Sequence, residues 1–432
     1  MRRLDTASPD FEAGFERLIA DRRADDASVE ADVSAILAQV RQEGDAALLA
    51  LTARFDGADL SSVGLRVEAS DIDAAVARVS PERAEALDIA ARRIEAFHRA
   101  QMPADLSMID EAGVRLGMRW TALDAVGLYV PGGTASYPSS VLMNAIPAQV
   151  AGVGRVAMCV PGARGIAPLV LAAARRAGVS EIWRVGGAQA IAAMAYGTAS
   201  IRPVDRIVGP GNAWVAEAKR QVFGTVGIDS VAGPSDVTVL GDAGSDPRAL
   251  AIDLLAQAEH DEAAAATLIT DDARLADAVA DAVEIELETL ARAAIARASW
   301  RRHGAIIVAR DWDEGCRLVD RLAPEHLQIV TRDPADLFGR IRHAGSVFLG
   351  HWTPEAVGDY VGGPNHVLPT GGTARFASGL SVYDFLKRTT WLEADEASLA
   401  RIGPAAVVLA EAEGLGAHAR SVALRLGQTG RA

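Results

Sequence analysis

Val126-Gly-Leu-Tyr-Val-Pro-Gly-Gly133 reads as a short buried strand running into a Pro-Gly-Gly turn, and the same phrase recurs further along the chain. A strand is predicted over 155–160, a helix over 167–177 and a strand over 181–185, which Gly186-Gly187 breaks before a helix over 188–194. A strand over 204–208 then meets Gly209-Pro-Gly-Asn212, and a helix follows to about residue 222. Strand, glycine turn and helix in succession are βα units, which pair their strands in parallel and cover the sheet with helices.

Towards the C-terminus the rhythm resumes after Val231-Ala-Gly-Pro-Ser235. Strands are predicted over 236–240, 265–270, 305–309, 327–330 and 347–349. Between them lie a helix over 246–260 that should bury Ile252 and Leu255, a long helix to about 299, and another around Leu318. Towards the N-terminus, 28–54 carries Val33, Ile36, Leu37 and Val40 at helical spacing and stops before Asp56-Gly57. Ser80 caps a helix whose first turn takes Pro81. A strand over 114–120 follows the turn Asp110-Glu-Ala-Gly113. Residues 1–25 look like an N-terminal arm with short helical patterns, and those from 381 like a small helical tail. The expected architecture is α/β: 26–125 with 236–380 as one block, 126–235 as a second, nucleotide-side block, and 381–432 as the C-terminal tail.

A chain of 432 residues can bury a large core. Its net charge of −14 argues against nucleic acid or an anionic membrane surface as partner, since both need a basic face. The longest apolar stretch, 141–160, contains Asn144, Pro147, Gln149 and Arg155, so no membrane span is expected. No apolar run follows Met1-Arg-Arg-Leu-Asp5 to make a signal peptide. The two cysteines, Cys159 and Cys316, sit in apolar patterns and read as buried small hydrophobes. These features together predict a cytoplasmic protein.

Of the eight histidines, His260, His326, His366 and His418 lie in Gly/Pro/Asp-rich loops or at helix ends beside carboxylates, whereas His98, His303, His343 and His351 read as spacers. Gln257 and His260 are three apart and share one face of a helix. Imidazole, carboxylate and amide oxygen form a mixed N/O donor set, which suits zinc or manganese better than a soft metal. Glu325-His326 is a candidate acid–base pair. Adjacent strand residues point to opposite faces, so both can serve one site only if the chain turns at Pro324.

No Gly-x-Gly-x-x-Gly follows any predicted strand. The turns Pro131-Gly-Gly133, Gly186-Gly-Ala-Gln189 and Gly209-Pro-Gly-Asn212 could hold a phosphate-bearing cofactor on free backbone N–H groups, although ordinary turn geometry accounts for each equally well.

Taken together, the motifs resemble those of the histidinol dehydrogenases over about 33–426. The likeness is dense in Gly127-Leu-Tyr-Val-Pro-Gly-Gly133, Val185-Gly-Gly-Ala-Gln-Ala-Ile191, Gly209-Pro-Gly-Asn212, Glu217-Ala-Lys-Arg-Gln221 and Ala232-Gly-Pro-Ser235. It continues through Gln257-Ala-Glu-His260, Ala323-Pro-Glu-His-Leu327, Gly358-Asp-Tyr360, Asn365-His-Val-Leu-Pro369 and Glu413-Gly-Leu415 with His418. Where the family often has two prolines, this chain has Pro161-Gly162, in a loop that carries no chemical residue.

The resemblance implies two incomplete Rossmann-like, aldehyde-dehydrogenase-like α/β domains, and oxidation of L-histidinol through L-histidinaldehyde to L-histidine with two NAD⁺. It implies zinc ligands at Gln257, His260, Asp359 and His418, His326 as general base and Glu325 as the group that activates water. Ser235, His366 and Glu413 would bind substrate together with His326 and the metal ligands, and Tyr129, Gln189 and Asn212 would bind NAD⁺. Members of the family are homodimers whose tails reach the partner's site, which would place Glu413 and His418 across the interface. The alternatives are a relative acting on a different small polar alcohol, a silent NAD-binding or metal-stabilised protein, and a metal-dependent hydrolase.

Overall fold

The computed structural model describes residues 1–22, 29–57, 59–61, 63–132, 137–162, 165–231 and 233–427. Gly133 of the first glycine turn, Ala232, and Asp25 and Ser28 at the end of the arm lie outside the described residues.

The glycine-turn segment builds a five-stranded sheet in the order Glu181–Trp183, Arg155–Cys159, Ala125–Tyr129, Arg206–Val208, Gly227–Ile228, every pair parallel. From the central Ala125–Tyr129 the chain winds first to one side and then to the other. This reversal opens a crevice at the carboxyl ends of Ala125–Tyr129 and Arg206–Val208, where such sheets bind ligands. Gly209 has φ +117°, and a Cβ there would stand 2.1 Å from the Tyr129 carbonyl oxygen. Glycine alone fits this turn.

The second sheet has six strands in the order Arg2–Asp5, Ala305–Val308, Ala265–Thr270, Asp236–Gly241, His326–Val330, Ser346–Leu349, again all parallel. Every residue of Asp236–Gly241, Ala265–Thr270 and His326–Val330 is buried, as expected for parallel strands covered on both faces. The N-terminal arm supplies an edge strand as well as a helix: Arg2 pairs with Ala305, and Phe11–Asp21 buries Phe15 and Leu18.

The expectations for two helices change. The long helix towards 299 is two helices, Ala273–Glu286 and Ala293–His303. Leu287 and Trp300, thirteen residues apart, enter one apolar cluster; on a straight helix they would face roughly opposite sides. The helix Pro247–Ala258 buries Leu250, Leu254, Leu255 and Gln257 and leaves Ile252 exposed, the reverse of what was expected for Ile252. The sequence reading groups 26–125 with 236–380. The apolar faces of Glu30–Glu43 and Asp45–Asp56, however, are buried with Tyr129, Trp183 and Ile191 of the five-stranded side.

The chain divides into two compact units, 1–101 with 123–385, and 102–122 with residues from 386 onward. Both parallel sheets belong to the first. The second is an antiparallel sheet in the order Leu386–Glu393, Arg115–Ala122, Leu106–Ile109, together with the helices Glu396–Ala412 and Gly416–Arg425. The tail thus begins with a strand, in which Thr389-Thr390-Trp391 favours extended backbone over helix. Asp110 accepts hydrogen bonds from the backbone N–H groups of Ala112 and Val114, closing the predicted turn.

Candidate active site

The site is built at the amino ends of the central strands of the six-stranded sheet. Ala323, φ +48°, is the one described non-glycine residue with positive φ; it ends the helix Trp312–Leu322 and delivers Pro324 and Glu325 to the strand His326–Val330. This is the turn the pair Glu325–His326 requires. Behind it, a Cβ on Gly345 would stand 2.6 Å from the Glu325 carbonyl oxygen. The chain following Gly345 pairs in register, Ser346 opposite His326.

Glu325 and His326 are both buried. The Glu325 carboxylate accepts a hydrogen bond from the Asp236 backbone N–H at 3.1 Å, and the Asp236 carboxylate accepts one from the Glu325 N–H at 3.2 Å. The His326 ring places Nδ1 3.3 Å from the Asp236 carbonyl and 3.8 Å from Glu325 Oε2. Its Nε2 lies 3.5 Å from Glu355 Oε1. Burial, followed by the charge of Asp236, raises the Glu325 carboxyl well above the usual carboxylate range. Burial lowers the His326 imidazole to about 4, which leaves it neutral near pH 7.

Asp359 lies on the short helix Glu355–Tyr360, one turn after Glu355. Donor atoms of His326, Glu355 and Asp359 all lie within 4.8 Å of one another. His366 Nδ1 is 3.6 Å from Asp359 Oδ1. Burial opposes ionisation of Asp359, but the His366 hydrogen bond and the fields of His366, His326 and His260 hold its carboxyl below the usual value. A cavity of about 160 Å³ is lined by His326, Phe348, Asp359, Asn365 and His366. Gln257 is buried on the helix Pro247–Ala258, which packs against Glu355–Tyr360. Neither its Oε1 nor its Nε2 has a hydrogen-bond partner among the described residues. A buried amide left unpaired costs about 1–3 kcal/mol, so it points to a group outside the polypeptide. Amide oxygen, imidazole and carboxylate are a donor set that fits a divalent cation of zinc type.

Ser235 is half-buried, immediately before Asp236. On the five-stranded side, the Tyr129 hydroxyl accepts a hydrogen bond from the Gly187 N–H at 3.2 Å. Gln189 is buried in the helix Gly187–Tyr196, with its amide packed against Gly187. Asn212 caps Ala213–Val222 through the Val215 N–H at 3.2 Å. Both helices begin at the carboxyl ends of the sheet, where their N-termini favour an anion. Glu413 and His418 are exposed residues of the second unit. Thus His326, Asp359, His366 and His260 act on one another electrostatically, Asp359 also acts on Glu325, and the three residues expected at NAD⁺ lie at the end of a strand or the start of a helix on the other sheet. Sequence reasoning missed Glu355 and Asp236. Glu355 stands four residues before Asp359, the spacing of one helical face, and that signal could have found it.

A buried imidazole–carboxylate cluster on one parallel sheet, together with a second parallel sheet of nucleotide-binding topology, is the arrangement of a dehydrogenase-like enzyme. Residues 19–426 match the family model described as histidinol dehydrogenase. The chain is 63% identical to histidinol dehydrogenase of Gluconobacter oxydans, covering 99% of each, and 59% identical to that of Rhodospirillum rubrum, covering 98% of each. The crystal structure of histidinol dehydrogenase from Elizabethkingia anophelis superposes with TM-score 0.94 at 35% identity, covering 99% of this chain and 98% of that one. The chain belongs to the histidinol dehydrogenase family, and is an NAD-dependent oxidoreductase of histidine biosynthesis.

Proposed function

We propose that the protein oxidises L-histidinol to L-histidine in two steps at one site, with Glu325 and His326 as its acid–base pair, two NAD⁺ as hydride acceptors and one zinc ion. The observation that carries this reading is the opposite tuning of adjacent buried groups: a neutral imidazole at His326 and a carboxyl raised towards neutrality at Glu325. The neutral imidazole has a free lone pair for a proton, and the carboxyl raised by burial is a stronger base than an ordinary carboxylate.

In the first step His326 would take the hydroxyl proton of L-histidinol, and NAD⁺, when bound, would supply the acceptor for the carbinol hydride, so that the alcohol becomes the aldehyde. In the second, Glu325 would take a proton from the water whose oxygen adds to the aldehyde carbon; a second NAD⁺ would supply the hydride acceptor, and the carboxylic acid formed would lose its remaining proton to solvent. Gln257, His260, Asp359 and His418 would hold zinc, whose contribution when bound is to orient the imidazole and amine of the substrate. Ser235, His366 and Glu413 would fix the polar ends of the substrate against His326, and orientation of this kind supplies much of the rate. Tyr129, Gln189 and Asn212 would line the nicotinamide side, making 126–235 the nucleotide domain.

A homodimer accounts best for Glu413 and His418, which would serve the partner's site. Exposed Val408 and Leu409 on Glu396–Ala412, Leu415 in the turn after it and Leu424 on Gly416–Arg425 support an association surface. No helix among the described residues is long and apolar enough to cross a membrane; a cytoplasmic setting is part of the proposal.

The test is NADH formed per L-histidinol consumed, before and after chelation. About two NADH per substrate, lost on chelation and restored by zinc, is the expected result. Failure to turn over L-histidinol, with zinc and NAD⁺ bound, would redirect the reading to a different small polar alcohol.

A further inference from the structure

Asp236 touches the catalytic pair three times. Its carboxylate accepts from the Glu325 N–H, its N–H donates to the Glu325 carboxylate, and its carbonyl faces His326 Nδ1. On its far side stands Arg22, the last described residue of the N-terminal arm, with Nη1 3.1 Å from Asp236 Oδ2. Arg22 Nη2 donates to Thr267 Oγ1 at 2.6 Å, which fixes the guanidinium against the neighbouring strand. Both side chains of the pair are buried, Arg22 at 8% and Asp236 at 4% exposure.

We propose that Arg22 and Asp236 are positioning residues for the reaction: the N-terminal arm sets Asp236, and Asp236 sets the Glu325–His326 pair. The inference rests on the roles assigned above to Glu325 and His326.

The charge accounting explains why an arginine is needed. Two carboxylates, Asp236 and Glu325, meet in a site without bulk water, and two buried like charges at contact disfavour each other strongly. Arg22 compensates Asp236 alone. Glu325 has no guanidinium or ammonium partner among the described residues. Burial raises the Asp236 carboxyl, and the Arg22 guanidinium and the Glu325 N–H pull it back down, so Asp236 has a compensating cation that Glu325 lacks. The reciprocal N–H bonds then fix the height and orientation of the Glu325 carboxylate. Without the guanidinium, the Asp236 carboxylate loses its anchor and can rotate away from the Glu325 N–H, and the pair loses its registration. A misplacement of about 1 Å is enough to cost on the order of 100-fold in rate.

A purely structural ion pair would lower stability and leave the turnover of folded enzyme intact. The experiment compares zinc-loaded Arg22→Gln, Arg22→Lys and Thr267→Val with the parent, using L-histidinol and L-histidinaldehyde as separate substrates and Glu325→Gln as reference. For Arg22→Gln we expect kcat with L-histidinaldehyde to fall roughly 10- to 100-fold, with KM for L-histidinol and zinc content changed less than about twofold. Arg22→Lys should recover part of the loss, because it keeps the charge but not the fork. Where Arg22→Gln does not fold, Thr267→Val decides, with an expected loss of roughly three- to tenfold. Unchanged kcat in Thr267→Val and in folded Arg22→Gln overturns the inference, as does a loss that follows zinc content. If Glu325→Gln itself leaves aldehyde oxidation intact, the assignment of Glu325 falls. If Glu325→Gln abolishes that step while the Arg22 and Thr267 variants spare it, only the positioning role falls.

Discussion

Lys219→Met should both destabilise the protein and weaken NAD⁺ binding, because Lys219 closes a buried lock under the Gly209 turn. Lys219 and Asp229 form an ion pair with side-chain exposures of 2% and 5%. Asp229 accepts from the Gly209 N–H at 2.8 Å, and Lys219 Nζ donates to the Gly209 carbonyl at 3.1 Å. Both backbone groups of Gly209, which passes against the Tyr129 carbonyl, are therefore held by the two ends of one ion pair. Removing the cation leaves Asp229 charged and buried, which costs about 3–5 kcal/mol, whereas replacing both members by uncharged groups costs far less. The expected result for Lys219→Met is a thermal midpoint lowered by roughly 3–6 °C. KM for NAD⁺ should rise about tenfold as the turn loosens, with kcat at saturating NAD⁺ changed less. The double variant Lys219→Met/Asp229→Asn should recover most of the midpoint. Differential scanning fluorimetry and initial rates at varied NAD⁺ check both. A single variant as stable as the parent, or a double variant no better than the single, would refute the reasoning that the buried charge is the source of the cost.

Three further outcomes are expected. Oxidation of L-histidinaldehyde should fall as pH drops through a value above the ordinary carboxylate range, since only ionised Glu325 can take the proton and burial raises its pKa. His326, lowered to about 4, is already neutral there and should add no limb between pH 6 and 9, so whatever residual rate Glu325→Gln retains should show no acid limb in a pH–rate profile. Gln257→Ala should reduce bound zinc per subunit by at least about tenfold under competition with a chelator, whereas Glu355→Gln should keep it; the opposite pattern, read by atomic absorption, would move the metal onto His326 and Glu355. Gly209→Ala must place a methyl 2.1 Å from the Tyr129 carbonyl at φ +117°, so it should yield insoluble protein or one unable to retain NAD⁺, measured by calorimetric titration.

What the sequence discloses is decided by range. The βα units at 126–222 were legible because each strand, turn and helix is written locally: Val126–Val130 is a continuous apolar run, and Gly186, Gly209 and Asn212 punctuate it. Caps were legible for the same reason, as Ser80 shows by accepting from the Arg83 N–H. Pairings made across hundreds of residues were not. Arg2–Asp5 looks like part of a polar arm until Ala305–Val308 offers it an edge, and Leu386–Glu393 becomes a strand only beside Arg115–Ala122. Buried charge shows the same limit in sharper form. Nothing around Arg22 distinguishes it from its exposed neighbours, and its partner lies 214 residues away. Glu325 and His326 can be picked out as a reactive pair from adjacent letters, but what tunes them comes from elsewhere: Asp236 from the next strand, Glu355 and Asp359 from a later helix, and Arg22 from the arm. The residues that do chemistry are thus local in sequence, whereas the field that makes them reactive is assembled only by the parallel sheet, which aligns the starts of strands written far apart. A site of this kind has to be read twice, first for its reactive groups and then, once the strands are in register, for the charges that stand behind them.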